Sequence, residues 1–283
     1  LGAGGRRWGV DLGAVFKARE GYLGVGTTPL VAATPAGRVV SVKVGADDAG
    51  VVGFDLATGT VRWRTADARA SYSAPVLAAS ESAAPAVIVP TRLFTTALDP
   101  ATGRELWRVP FGQRGPSVVA ALPVVVDDQV LLTASYGVGA RLLDLSGSAG
   151  DAPTVGWSSA SLSSHYPTPV VVDGFVYGID GREDVGSAHL RCLDLTTGDV
   201  RWSVDGFGIA HLLTDGQRLL IQRLDGEIIL ADASAEAFRP LARAAVAEGP
   251  VRALPALSGG VLYLRTTPSR GGGELLAIVL GAS

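Results

Sequence analysis

Two acidic pairs and three histidines are the side chains of this 283-residue sequence that could serve catalysis or bind a metal. The pairs at residues 47–48 and 183–184 are not followed by the spaced oxygen ligands of a calcium loop, so we interpret them as solvated charges on hairpin loops. His165, His189 and His211 show no Ser/His/Asp spacing. A triad can join residues far apart in sequence, so that alternative stays open. We predict no catalytic residue and no metal site.

A sequence repeat predicts the strands and turns that would position such side chains. Residues 53–63, 97–107 and 192–202 each have Asp at the end of an apolar run, Thr-Gly three and four positions later, and Trp four positions beyond the Gly. This order is typical of strand, tight turn and strand, because the Asp carboxylate accepts turn N–H groups and Gly adopts positive φ. One hairpin cannot bury its Trp alone, so the copies must pack side by side.

Six copies of this unit account for the chain. Weaker copies surround Asp144 and Asp232, and in most units a Pro opens the first apolar strand. The repeat residues, all predicted to be structural, are Asp55, Asp99, Asp144 and Asp194 with Trp8, Trp63, Trp107, Trp157 and Trp202. The predicted blades span about residues 25–66, 70–112, 118–160, 165–207, 209–246 and 250–281 plus 6–12. The lengths of these blades are typical of propeller repeats.

The predicted fold is all-β: a single domain over residues 1–283, a six-bladed β-propeller of four-stranded antiparallel blades. The last unit has an apolar run at 275–280 without a following Trp strand, whereas Trp8 lies in a strand-like segment near the N-terminus. We therefore predict that residues 6–12 join the last blade and close the ring, which leaves no open sheet edge. No helix is predicted, and the alanine-rich segment 233–248 is predicted as strand.

The Pro-opened strand, the Val-rich pair at 170–178 and the Leu-Asp-x-x-Thr-Gly-x-x-x-Trp motif resemble the PQQ-like (pyrroloquinoline-quinone-like) propeller repeat. This resemblance implies the fold, with the Trp wedged between neighbouring blades. The family includes quinoprotein dehydrogenases, the lipoprotein propeller of the outer-membrane barrel-assembly machinery, and envelope sensor or scaffold domains. The dehydrogenases use adjacent cysteines and an amide-containing Ca²⁺ site, whereas this sequence has one cysteine, Cys192, and no Asn. We therefore expect no cofactor and no enzyme activity.

Propeller geometry brings together the positions that lead into each first strand. In most units, small or aliphatic residues occupy the position three residues before the Pro that opens the first strand, and the positions next to it. Five residues break this pattern, and we predict that they bind a ligand at the axial mouth: Tyr72, His165, Tyr166, His211 and Arg252. Aromatic rings with an arginine suit a ligand that has apolar or sugar surface and an anionic or hydroxyl group. The alternative is that these side chains plug the channel and satisfy one another.

Three longer loops are predicted on the same face, at residues 12–24, 180–188 and 266–274. Loops on a rigid scaffold commonly carry function, so they predict a partner surface, with flexible decoration as the alternative. Its candidate residues are Phe16, Arg19, Tyr22, Arg182, Glu183 and Arg270.

The function predicted from these features is a non-catalytic extracytoplasmic scaffold of the bacterial envelope that binds a protein partner, such as an assembly complex or a transporter. The alternative is a sensor or carrier domain that binds a glycolipid or saccharide, and a PQQ-dependent dehydrogenase is the third hypothesis. A net charge of −3 gives no reason to expect nucleic acid. The sequence contains no Met and resembles a mature or truncated portion, so we expect a removed leader or membrane anchor.

Overall fold

The computed structural model describes residues 5–18, 27–66, 71–79, 84–115, 117–147, 151–267 and 272–280. The protein is all-β, with 51% strand and 3% helix. Within the described ranges the strands form six antiparallel sheets in chain order, five with four strands and one with three. Six sheets of this kind fit the predicted six-bladed β-propeller, and each sheet is called a blade below. The predicted all-β class is confirmed.

Two compact units, Leu1–Ser158 and Ser159–Ser283, divide the chain, and each contains three blades. The first unit begins with a short helix, α1 (Leu12–Phe16). Its blades are formed by β1 (Leu30–Thr34), β2 (Gly37–Ala46), β3 (Ala49–Asp55) and β4 (Val61–Arg64); by β5 (Val76–Ala78), β6 (Ala86–Pro90), β7 (Phe94–Leu98) and β8 (Glu105–Pro110); and by β9 (Val124–Val126), β10 (Gln129–Ala134), β11 (Gly139–Asp144) and β12 (Thr154–Ser159).

The second unit repeats this order. Its blades are formed by β13 (Val170–Val172), β14 (Phe175–Arg182), β15 (Ser187–Asp194) and β16 (Val200–Val204); by β17 (Ala210–Thr214), β18 (Arg218–Arg223), β19 (Glu227–Asp232) and β20 (Arg239–Ala245); and by β21 (Ala256–Ser258), β22 (Val261–Arg265) and β23 (Leu275–Val279). A 3-10 turn, Glu183–Val185, joins β14 to β15. Strand β20 confirms the strand predicted within the alanine-rich segment.

The repeat turns have the predicted chemistry. The carboxylates of Asp55, Asp99 and Asp194 each accept the backbone N–H groups two and three residues later, over distances of 2.8 to 3.2 Å. For Asp55 these bonds, together with the Arg62 guanidinium, lower the pKa to about 2. The glycine of each turn has positive φ, which closes the hairpin. Local hydrogen bonding therefore specifies the same turn in three blades.

The repeat tryptophan of one blade is bound by the next blade. Trp63, in the first blade, is 7% exposed and donates from its indole Nε1 to the Pro100 carbonyl of the second blade at 3.0 Å. Gly103 leaves the room for this ring, because a Cβ at that position would lie 2.4 Å from the indole. Trp8 contacts the first blade in the same way and donates to the Leu56 carbonyl at 2.9 Å.

The ladder between the third and fourth strands carries an irregularity at one repeated place. The pairing shifts by one residue just before the repeat Asp position, between the two residues that precede it. This shift occurs in four blades, at residues 53/54, 97/98, 192/193 and 230/231. Such a bulge bends the strand and increases its twist. Cys192 lies at this place, directly opposite Trp202, and is fully buried. Burial raises the pKa of its thiol to about 11, so it serves as a small core residue.

A polar side chain in the second strand ties one blade of each unit to the segment that leads into the next blade. Lys43 in β2 and Gln222 in β18 occupy equivalent positions in their blades. Each lies four residues after the residue of its own strand that pairs with the repeat Asp position. Gln222 Nε2 donates to the Val251 carbonyl at 2.6 Å. The Lys43 ammonium, 2% exposed, donates to the Ser71 hydroxyl at 2.7 Å, to the Pro90 carbonyl at 3.2 Å and to the Ser73 carbonyl.

The strand predicted over residues 6–12 is wrong. Residues 5–11 form no strand, and α1 begins at Leu12 because the Asp11 carboxylate caps it by accepting the Ala14 N–H at 2.9 Å. Phe16 at the end of α1 packs edge-on against Phe54, with ring centroids 6.1 Å apart. Closure of a ring through this segment stays a prediction. No helix in the described part of the chain is long and apolar enough to cross a bilayer.

Candidate functional site

Four of the five predicted ligand-binding residues lie together in the second unit. His165 and Tyr166 precede β13, His211 is in β17, and Arg252 precedes β21. The fifth residue, Tyr72, belongs to the first unit, where its backbone N–H donates to the Val119 carbonyl at 3.0 Å.

The β14–β15 hairpin adds Glu183 to this group. The loop predicted over residues 180–188 is mostly a continued ladder that pairs Asp180 with His189 and Arg182 with Ser187, and it ends in the 3-10 turn. The backbone of Gly181 bridges to the segment before β13. This pairing fixes Glu183 beside the tyrosine, so Glu183 belongs to the site rather than to a separate loop surface.

Glu183 is the centre of the hydrogen bonding. Its Oε2 accepts from the Tyr166 hydroxyl at 2.7 Å, and its Oε1 accepts from Nε and Nη2 of Arg252 at 2.9 and 2.6 Å. The Glu183 backbone N–H donates to His165 Nδ1 at 3.4 Å, and His211 Nε2 bonds the Arg252 carbonyl at 2.9 Å. We call these five residues, His165, Tyr166, Glu183, His211 and Arg252, the Glu183 cluster.

The aromatic rings of the cluster are in contact. The Tyr166 ring centroid is 5.4 Å from that of His165 and 5.6 Å from that of His211, in tilted geometries favourable for ring pairs. His211 is only 6% exposed, whereas the Arg252 side chain keeps 48% of its surface exposed and Glu183 keeps 24%. The cluster therefore has one buried ring, His211, two half-buried rings and a solvent-facing ion pair.

The electrostatics of the Glu183 cluster keep each group in one protonation state. The Arg252 guanidinium lowers the pKa of Glu183, and Glu183 in turn raises the pKa of Arg252. Burial, followed by the bond to Glu183, raises the pKa of the Tyr166 phenol. Burial lowers the pKa values of His165 and His211. At neutral pH the cluster holds a carboxylate, a guanidinium, a neutral phenol and neutral imidazoles.

A pocket of about 450 Å³ opens beside Glu183. Ile209, Leu224 and Pro250 contribute its apolar surface, and Arg182 and Glu183 form its charged edge. Arg182 is held by an ion pair with Asp184 on the 3-10 turn. The site can therefore bind a group that combines apolar surface with hydrogen-bonding atoms.

Of the other predicted partner-surface residues, the structure describes Phe16. Phe16 is buried at 8% exposure because its ring packs in the core of the first blade, so its assignment to an exposed surface is wrong. Arg19, Tyr22 and Arg270 lie outside the described residues.

Solved structures with the same fold include enzymes. A europium-containing methanol dehydrogenase is 14% identical, with a TM-score of 0.53 over 86% of this chain and 60% of its own. A quinohemoprotein alcohol dehydrogenase from Pseudomonas putida is 12% identical, with a TM-score of 0.58 over 96% of this chain and 59% of its own. The chain thus spans about 60% of the length of these dehydrogenases. At such identities the likeness concerns the fold alone.

The residues of this chain do not fit the quinone site of those enzymes. A vicinal disulfide needs two cysteines, whereas the single Cys192 is buried in β15 opposite Trp202. An amide ligand from Asn is absent from the sequence. Among the described residues no group of three or more His, Cys, Asp or Glu is placed to hold a metal ion.

One further solved structure and a family model complete the comparisons. BamB from Moraxella catarrhalis is 20% identical, with a TM-score of 0.46 over 85% of this chain and 79% of its own. No curated protein sequence is significantly similar to the chain. The family model described as outer membrane protein assembly factor BamB matches residues 3–204. The repeat, the blades and this match together show that the chain belongs to that family of PQQ-like propellers.

Proposed function

We propose that this chain is a non-catalytic, extracytoplasmic binding propeller that engages a protein partner in assembly of the bacterial envelope. The observation that carries the proposal is the family match over residues 3–204, since the family's description names an outer membrane assembly factor. The comparisons support neither a transporter partner nor a glycolipid ligand, so the proposal includes neither.

The chemistry of the Glu183 cluster favours binding over catalysis. The Glu183 carboxylate already accepts three donated hydrogen bonds, so its basicity is reduced. The Tyr166 phenol is kept protonated, and burial disfavours a charged imidazole at His165 and His211. A general base at Glu183 or a nucleophile at Tyr166 would need the opposite tuning.

The exposed part of the site offers the features of a protein contact. The Arg252 side chain, 48% exposed, pairs with Glu183, which lines the 450 Å³ pocket, and Val185 on the 3-10 turn is 63% exposed. Leu254, two residues beyond Arg252, is 53% exposed. Arginine is one of the residue types enriched at the energetic centre of protein interfaces. We propose that this face of the second unit contacts the partner.

Replacing Arg252 with alanine should weaken partner binding by about 1–3 kcal/mol, roughly 5- to 150-fold, because a charged anchor is lost from the interface. Tyr166→Phe should weaken it less, since only the hydroxyl bond to Glu183 is removed. The measurement is capture of identified outer-membrane assembly proteins from a cell-envelope extract, followed by titration of the purified partner, with thermal melts of each variant alongside.

Arg239→Ala is the matched control. Arg239 is the first residue of β20 and forms an exposed ion pair with Glu236, outside the cluster. It should bind like the wild type. If Arg252→Ala binds equally well, the partner binds elsewhere. If it loses its fold together with binding, the cluster is structural.

Quinone-dependent oxidation should be absent, because the chain cannot form the vicinal disulfide and lacks Asn. The assay mixes the purified protein with pyrroloquinoline quinone and Ca²⁺ and follows dye-linked oxidation of alcohols and glucose. A quinoprotein dehydrogenase run in parallel confirms that the assay works. Turnover sustained at stoichiometric cofactor would contradict the non-catalytic proposal.

A further inference from the structure

Three arginines line a pocket of about 470 Å³ in the first unit. Arg92 is in the β6–β7 turn, Arg108 is in β8, and Arg114 follows β8. Among the described residues neither Arg92 nor Arg114 forms a salt bridge, and Arg108 pairs with Glu105. The pocket therefore holds more positive charge than its surroundings neutralise.

Two of these guanidinium groups are held in place. The Arg108 guanidinium carbon lies 5.5 Å from the centroid of the Phe94 ring, which is 37% exposed, and two of its nitrogens donate to Glu105. Arg92 Nη2 donates to the Gly115 carbonyl at 2.5 Å. Because these groups are fixed before a ligand arrives, little side-chain entropy would be lost when an anion binds.

The arginine pocket continues into a second chamber of about 240 Å³, and the two share Thr91, Thr96 and Arg108. Apolar side chains from two blades, Val51, Val89 and Leu98, line this second chamber together with Thr65 and Glu105. The combined groove thus has three arginines at one end and an apolar wall at the other, and Glu105 at the junction pairs with Arg108. A compact anion such as phosphate would occupy the first end alone.

We infer that this groove binds an extended acidic segment of a partner protein, with a carboxylate at the arginines and an apolar side chain in the second chamber. Arginine recognises carboxylates through paired hydrogen bonds, and an extended chain places alternate side chains in successive pockets. The inference deepens the proposed function and rests on it, because it assigns to the first unit a contact of the same protein-binding role.

The test is fluorescence anisotropy with the whole chain and a labelled peptide of about ten residues that repeats Glu-Ser-Val-Ser, against its glutamine counterpart. In this repeat glutamate and valine lie two residues apart, on one face of an extended chain. The glutamate peptide should bind and the glutamine peptide should not. Arg114→Glu should weaken binding roughly 10- to 100-fold, because a charge-assisted bond becomes a repulsion. Arg114→Gln should give a smaller loss. Both variants should keep the wild-type melting temperature, since Arg114 is exposed.

Arg104→Glu is the matched control, because Arg104 is an exposed arginine of the same blade outside the groove, and it should bind the peptide like the wild type. Equal binding of both peptides, or of wild type and Arg114→Glu, would overturn the inference. Inorganic phosphate that displaces the peptide at equal concentration would show a small-anion site instead. If Arg114→Glu weakens binding to phosphatidylglycerol vesicles but not binding to the peptide, the groove contacts a lipid surface and the inference is wrong. The Arg252 variants report on the other unit, so the two proposals fail separately.

Discussion

Replacing Trp63 with alanine is expected to lower the free energy of unfolding by about 3–5 kcal/mol. The indole is 7% exposed, it donates to the Pro100 carbonyl, and it fills the space left by Gly103 in the neighbouring blade. Alanine would leave a cavity between two blades and an unpaired carbonyl. Urea or thermal unfolding, followed by circular dichroism, measures the loss.

Two variants separate the causes of this loss. Trp63→Phe keeps most of the ring but removes the indole N–H, so its loss should be intermediate. Val61→Ala, in the same strand at a position that is 48% exposed, should change stability by less than about 1 kcal/mol. An unchanged midpoint for Trp63→Ala, combined with lost partner binding, would show that this tryptophan is a binding residue and not a structural one.

Lys43→Met is expected to change how stability depends on pH. Burial lowers the pKa of Lys43 from 10.5 to about 7 in the folded protein. Between these values the unfolded chain binds a proton that the folded chain does not, so the free energy of unfolding rises with pH. The penalty is complete below pH 7 and decreases as the pH rises. The stability of the wild type minus that of Lys43→Met should therefore increase from pH 7 to 9, by at most about 1.4 kcal/mol per pH unit.

The hydrogen bonds donated by the Lys43 ammonium oppose this trend. They reach the Ser71 hydroxyl and two carbonyls, and among the described residues no carboxylate bonds the ammonium. Lys17→Met is the control, since Lys17 is exposed and is the other lysine of the sequence. A stability difference that falls as the pH rises would mean that the hydrogen bonds outweigh burial, and the predicted direction would be wrong.

The blades could be predicted from the sequence because their turns depend on local chemistry. Asp, Thr-Gly and Trp lie within nine residues of one another, and the Asp and Gly act through backbone groups of their own hairpin. The N-terminal segment could not be predicted in this way. Its apolar pattern resembles a strand, but the Asp11 cap and the packing of Phe16 on Phe54 favour a short helix, and that packing is a tertiary contact.

The candidate site was predictable as far as the repeat extends. Comparing equivalent positions identified His165, Tyr166, His211 and Arg252, which all lie in segments shared by every blade. Glu183 was predicted as a partner-surface residue and not as a member of this site, because it lies in an insertion that has no equivalent in other blades, 69 residues from its partner Arg252. Lys43 also went unnoticed as a buried contact. Its alternation with Ser41 and Val39 in β2 was the available signal that it faces inward.

The repeated bulge has a consequence for how the protein behaves at high concentration. It bends the fourth strand of a blade away from a flat, regular ladder, and these strands carry exposed arginines at Arg62, Arg64, Arg108, Arg201 and Arg243. A kinked edge lined by charged side chains is a poor template for adding a foreign strand. Aggregation through these edges is thereby disfavoured.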